Sequence, residues 1–88
     1  MANSKSAMKR IRQNEKRRGR NRSIRSRVRT VTKAFDEAVE EGNVEQAQEE
    51  YARAVSALDR AASKGIIPSK RASRKKSRLA QRLQKITD

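Results

Sequence analysis

Lys5, Lys9, Arg12, Lys16 and Arg20 recur every three or four residues, the spacing that gathers side chains on one face of an α-helix. Arg18, Arg22, Arg25, Arg29 and Lys33 make a second such stripe, well away from the apolar seam, while Arg10 and Arg17 fill the remaining side. Lys70, Arg71, Arg74, Lys75, Lys76 and Arg78 form another cluster near the other end of the chain. Side chains of this kind do one piece of chemistry well, which is to neutralise phosphates. Most of the bases are Arg, whose planar fork grips phosphate with two hydrogen bonds at once. Polar residues interleaved with them (Ser4, Ser6, Gln13, Asn14, Asn21, Ser23, Ser26, Ser77) add hydrogen bonds to phosphates or 2′-hydroxyls. Cations on every face of one helix point to phosphates on more than one side, as when a helix is wedged between nucleic-acid helices.

Other chemistries lack their parts. The chain has no cysteine and no histidine, so thiolate catalysis, Cys-ligated zinc and a neutral-pH proton shuttle are missing. The carboxylates Asp36, Glu37, Glu40, Glu41, Glu45, Glu49 and Glu50 surround one turn and read as solvated surface, without metal-site spacing. No phosphate-cradling Gly motif occurs. The expectation is therefore a protein without enzymatic activity, cofactor or small-molecule substrate. No apolar run approaches the roughly 20 residues of a membrane helix, and the start has no signal-peptide core. A cytoplasmic location with no membrane partner is expected, and the lack of cysteine suits a reducing compartment. Phe35 and Tyr51 are the only aromatics, so no stacking platform for single strands can be built.

The charge is segregated along the 88 residues. Residues 1–33 hold 13 Lys/Arg against one acid, residues 34–64 hold three against eight, and residues 65–88 hold eight against one. The net charge of +14 is thus divided into +12, −5 and +7. Basic ends and an acidic middle are more than a solubility coat, and they call for a polyanionic partner.

Helices must position these charges. Gly42-Asn43 reads as a helix stop and an immediate start, with Gln46 three residues on as in a capping box. Gly65 ends a second helix, and Pro68 is tolerated in the first turn of a third. The intervening Ala, Arg, Lys, Glu and Gln favour helix. The reading is one all-α domain, 1–88, with helices over about 5–41, 44–64 and 68–86. Apolar stripes Ile24, Val28, Val31, Phe35, Ala38 and Val44, Ala47, Tyr51, Ala54, Leu58, Ala61 step by three and four. Ala72, Leu79, Leu83 and Ile86 keep the seam in the third helix, interrupted by Lys75 and Lys76. Such stripes suit an antiparallel three-helix bundle, with Phe35 and Tyr51 filling its core.

Continued backwards by sevens from Ile24 and Val28, the seam meets Arg17, Arg10, Asn21 and Asn14. Residues 5–23 therefore have no face to pack on partner helices, and the long first helix projects beyond the bundle as a basic N-terminal arm. At 1.5 Å per residue the first helix runs roughly 55 Å, against about 31 and 28 Å for the others. Folding antiparallel brings the Lys70–Arg78 cluster beside the base of the arm and puts the acidic turn at the opposite pole.

Several segments resemble bacterial small-subunit ribosomal protein twenty. They are the opening Met-Ala-Asn-Ser-Lys-Ser-Ala, the runs Ile11-Arg-Gln-Asn-Glu-Lys-Arg-Arg18 and Asn21-Arg-Ser-Ile-Arg-Ser-Arg-Val-Arg-Thr30, Ala62-Ser-Lys-Gly-Ile-Ile67, and Arg74-Lys-Lys-Ser-Arg-Leu79. The likeness is colinear over essentially the whole chain, with the acidic middle alike only in pattern. After Gly-Ile-Ile that family usually continues His-Lys-Asn-Lys, where this chain has Pro68-Ser69-Lys70-Arg71. The resemblance implies a three-helix bundle that binds 16S ribosomal RNA directly near the base of the small subunit and joins early in assembly. It further implies contacts by Lys5, Ser6, Lys9, Arg10, Gln13, Asn14, Lys16, Arg17, Arg18, Asn21, Arg25, Arg29, Arg74, Lys76, Ser77 and Arg78. Adding Arg12, Arg20, Arg22, Lys70, Arg71 and Lys75 from the charge pattern completes the expected RNA-binding set. Few protein neighbours are expected. The alternative that charge alone permits is a DNA-compacting, nucleoid-type protein; a membrane-active helix would need more than Met8 and Ile11 opposite its bases.

Overall fold

A computed structural model describes the backbone of residues 2–88 and the side chains from Ser6 onward. Three helices account for it: α1 (Ala2–Glu40), α2 (Val44–Ser63) and α3 (Ser69–Thr87). Both glycine stops operate as the sequence suggests. Gly42 (φ 70°) and Gly65 (φ 73°) adopt the left-handed conformation that an L side chain resists. Each closes its helix with a pair of reversed hydrogen bonds: Gly42 N–H to Val39 O with Asn43 N–H to Ala38 O, and Gly65 N–H to Ala62 O with Ile66 N–H to Ala61 O.

The starts differ in detail. Asn43 caps α2, its side-chain oxygen accepting from Gln46 N–H at 3.1 Å. Only half of the expected box forms, because the Gln46 side chain donates instead to Glu50 at 2.9 Å. Pro68 is the extended N-cap of α3 (φ −63°, ψ 141°) rather than a first-turn residue, and it brings no side-chain acceptor.

The core is small and built largely of alanine. Val31, Phe35, Ala38, Ala47, Ala54, Ala57, Leu58, Ala61, Ala72 and Leu79 are buried, with Phe35 fully sealed. Tyr51 meets Phe35 in a tilted arrangement at a centroid distance of 6.2 Å but stays half-buried, packed against the edge of the core. Alanine at the α2 seam lets helices approach closely, so contact area rather than bulk holds them together. The central helix is α2. It packs on α1 along one side and on α3 along another, whereas α1 and α3 barely touch. That double duty explains why α2 buries Glu50 and Ala57 beyond its single expected stripe. Glu50 had read as part of the solvated acidic turn; it is instead 6% exposed and pairs with Arg53 at 2.7 Å. A buried carboxylate needs such partners to offset its lost hydration.

From Ser6 to Arg20 every side chain of α1 is exposed, and burial begins at Asn21, three residues earlier than the end expected for the arm. Asn21 lies on the seam and is half-buried. The exposed stretch amounts to about 22 Å of helix, and it draws the molecule out to 67 × 22 × 13 Å.

Candidate nucleic-acid interface

The cations expected to meet phosphate occupy two settings. Ser6, Lys9, Arg10, Arg12, Gln13, Asn14, Lys16, Arg17, Arg18 and Arg20 stand in water around the whole circumference of the arm. Ser4 and Lys5 lie outside the residues whose side chains are described. Among the described residues, no arm side chain takes part in a hydrogen bond or ion pair. The single arm acid, Glu15, is exposed as well. Met8 and Ile11 are more than half exposed, at 55% and 56%.

The second setting is a groove of about 560 Å³ between α1 and α3. Arg25, Arg29 and Lys33 line one wall, and Arg71 and Lys75 the other. Its bed is apolar: Val28, Ile66 and Ile67 are half-buried, over the buried Leu58 and Ala61. The groove continues past Arg74, Lys75 and Arg78 toward Asp36 and Arg82. There Arg82 donates to Asp36, and its guanidinium carbon lies 5.9 Å from the centre of the Phe35 ring. The carboxylate of Asp36 thus belongs to the groove and not to the solvated turn. Arg71 faces the groove level with Arg25, and eleven residues on Arg82 bonds Asp36, so α3 runs parallel to α1 and antiparallel to α2.

The second α1 stripe therefore does not lie well away from the core. Arg25 and Arg29 border the seam residue Val28, because the gap left between α1 and α3 opens on that edge. Lys70 and Ser77 are exposed on α3 outside the groove, and Asn21 and Arg22 stand at the base of the arm. Arg22 shares a shallower depression with Arg27 and Arg53 on another side of α1. Among the described residues, Lys76 is the one candidate held by the protein itself, donating to Asp59 at 2.6 Å.

Four cations outside the expected set belong with these surfaces, among them Arg53 of α2 in the depression beside Arg22. Lys33 and Arg82 line the groove and its continuation, and Arg27 lies in the depression beside Arg22. For those on α1 and α3, spacing carried the signal. Lys33 follows Arg29 by four, Arg82 follows Arg71, Lys75 and Arg78 by the same alternation, and Arg27 is Arg20 plus seven.

Glu37, Glu40, Glu41, Glu45 and Glu49 are all exposed around the Gly42 turn, at the pole away from the arm. Among the described residues no three acids converge as a metal site, and no helix is long and apolar enough to cross a membrane.

A small all-helical protein with segregated charge, whose first helix outruns its own core, is the class these features define. The model of the family "Ribosomal protein S20" matches residues 2–84, and the chain belongs to that family. It is 52% identical over 86 residues to the small ribosomal subunit protein bS20 of Geobacillus thermodenitrificans, covering 98% of this chain and 97% of that protein. The bS20 proteins of Clostridium kluyveri and Saccharophagus degradans are 51% and 48% identical, each over 87 residues and 99% of both chains.

Proposed function

We propose that this protein is a structural constituent of the small ribosomal subunit that binds 16S ribosomal RNA directly, through its phosphate backbone and shape, and so helps the subunit assemble. One observation carries the reading. Fifteen consecutive residues of α1, Ser6 to Arg20, keep helical spacing yet are all exposed, outside the core that the three helices share. A helix so charged repels itself in water, and surrounding phosphates remove that cost while ordering it. The full-length likeness to bS20 proteins supports RNA as the polyanion. The arm, with Lys5 through Arg22, inserts between RNA helices. Arg25 and Arg29 continue that contact along α1, and Lys70, Arg71, Arg74, Lys75, Lys76, Ser77 and Arg78 extend it onto α3. The acidic turn faces away, which sets the orientation on the RNA. The role is structural, not catalytic.

Filter-binding titrations against 16S rRNA fragments and against duplex DNA, at several salt concentrations, test this. Eight phosphate contacts give a log–log salt slope on the order of −6 to −7, with RNA preferred. Equal affinity for duplex DNA at every salt concentration overturns the RNA assignment and favours a DNA-compacting protein.

A further inference from the structure

The groove between α1 and α3 has a feature that phosphate neutralisation does not use. Its walls are cationic apart from Thr32 and Asp36, whose carboxylate is taken up by Arg82, but its bed is Val28, Ile66 and Ile67. Of these, Val28 and Ile67 also pack against the core, whereas Ile66 does not and remains half-open in the loop after α2. An A-form RNA helix presents phosphates and sugars at its surface while its apolar base faces stay stacked inside. Docked across the groove, a duplex satisfies the Arg and Lys walls and leaves the aliphatic bed facing polar backbone. A nucleotide turned out of its helix matches both, since it has one flat face to cover the bed and its own phosphate for the walls. At about 560 Å³, the groove has the volume of a small-ligand site while remaining open to solvent along one side.

From these observations, and on the reading that the protein binds rRNA, we propose that the α1–α3 groove seats one unpaired nucleotide of the RNA. Its base lies on Ile66 and its neighbours, and the flanking phosphates are held by Arg29 of α1 and by Arg71 and Lys75 of α3. The arm leads the strand there. Arg18 lies about two to three turns before Arg25 and Arg29 on the same stripe, so a backbone following that stripe runs toward the groove. With no exposed aromatic to stack a run of bases, the site holds one nucleotide and not a single strand. Against RNA duplexes the arm binds all alike; the groove distinguishes an interrupted helix from a continuous one.

The test uses the full-length protein and 16S rRNA. A diazirine-bearing aliphatic residue in place of Ile66 is photoactivated in the complex, and the crosslinked nucleotides are mapped. In parallel, Ile66→Thr and Arg29→Gln are titrated against two RNA duplexes that differ by one bulged nucleotide. Circular dichroism confirms that each variant is folded. The expected crosslinks fall on an unpaired nucleotide. Ile66→Thr is expected to lower affinity for the bulged duplex about fivefold, through lost apolar contact, with its salt slope and its affinity for the continuous duplex unchanged. Arg29→Gln is expected to weaken both duplexes and flatten the slope by about 0.7–0.9. Crosslinks confined to paired nucleotides, or an Ile66→Thr effect equal on both duplexes, overturn the groove assignment while rRNA binding stands. Self-crosslinking to the acidic turn of a second copy overturns it as well. Failure of the unmodified protein to bind 16S rRNA in preference to DNA overturns the underlying reading instead.

Discussion

The two parts of α1 obey the same backbone geometry and opposite surface rules. From Ile24 to Ala38 the residues every third or fourth place are apolar, and the inner ones, Val31, Phe35 and Ala38, are buried against α2. From Ser6 to Arg20 the corresponding places hold Arg10, Asn14 and Arg17, and every side chain is in water. The first part is held by burial, the second only by local propensity and by whatever anion surrounds it. A single helix thus joins a folding unit to a binding element, and substitutions in each should register in different measurements.

The largest separation comes from Phe35→Ala. Removing a fully sealed Phe costs about 3–5 kcal/mol, and a core this small has little in reserve, so urea or thermal unfolding should show a protein mostly unfolded at room temperature. Close behind is the complementary change, Lys9, Arg12, Lys16 and Arg20 all replaced by Gln. Loss of four phosphate contacts lowers affinity for 16S fragments about 10³-fold at 0.1 M salt, with a salt slope shallower by roughly three. Unfolding of the bundle should move by less than about 0.5 kcal/mol, as for other exposed sites. A large stability loss in that variant means that the arm packs on the bundle after all.

A third pair of changes separates the regions at about 1 kcal/mol. Asn43→Ala removes the cap on α2 and should cost the bundle ~1 kcal/mol, with the RNA salt slope unchanged. Gly19→Ala acts only on the arm, where a Cβ meets nothing within 4 Å. The gain in helix propensity is about 1 kcal/mol, so amide exchange around residues 12–22 should slow and RNA affinity rise up to about fivefold, while the unfolding midpoint stays put. The smallest effect is that of Asp59→Asn, which frees Lys76. An exposed pair contributes about 0–1 kcal/mol; stability should fall within that range, and the salt slope should steepen by less than one contact's share.

Much of the fold was legible from particular residues. Gly42 and Gly65 marked both turns, Asn43 marked the start of α2, and the change from Ile24 to Arg17 marked where packing gives way to charge. Periodicity reports one face at a time, and there it stopped. Glu50 looked like its acidic neighbours because nothing in its spacing reveals that α2 is sandwiched and must bury two faces. Asp36 looked like turn surface until Arg82, 46 residues on, came beside it. Lys76 kept the appearance of a free cation although Asp59 holds it.

The sequence by itself determined the helices, their stops, the direction of charge and the point at which α1 leaves its own core. These depend on intrinsic propensity and on neighbours three or four residues away, interactions that a linear pattern records. The tertiary structure alone decided that α1 and α3 stand apart over α2, leaving a groove with cationic walls and an isoleucine bed. That gap depends on how closely the alanine-lined faces of α2 let each partner approach, a three-body packing outcome that no single stripe encodes.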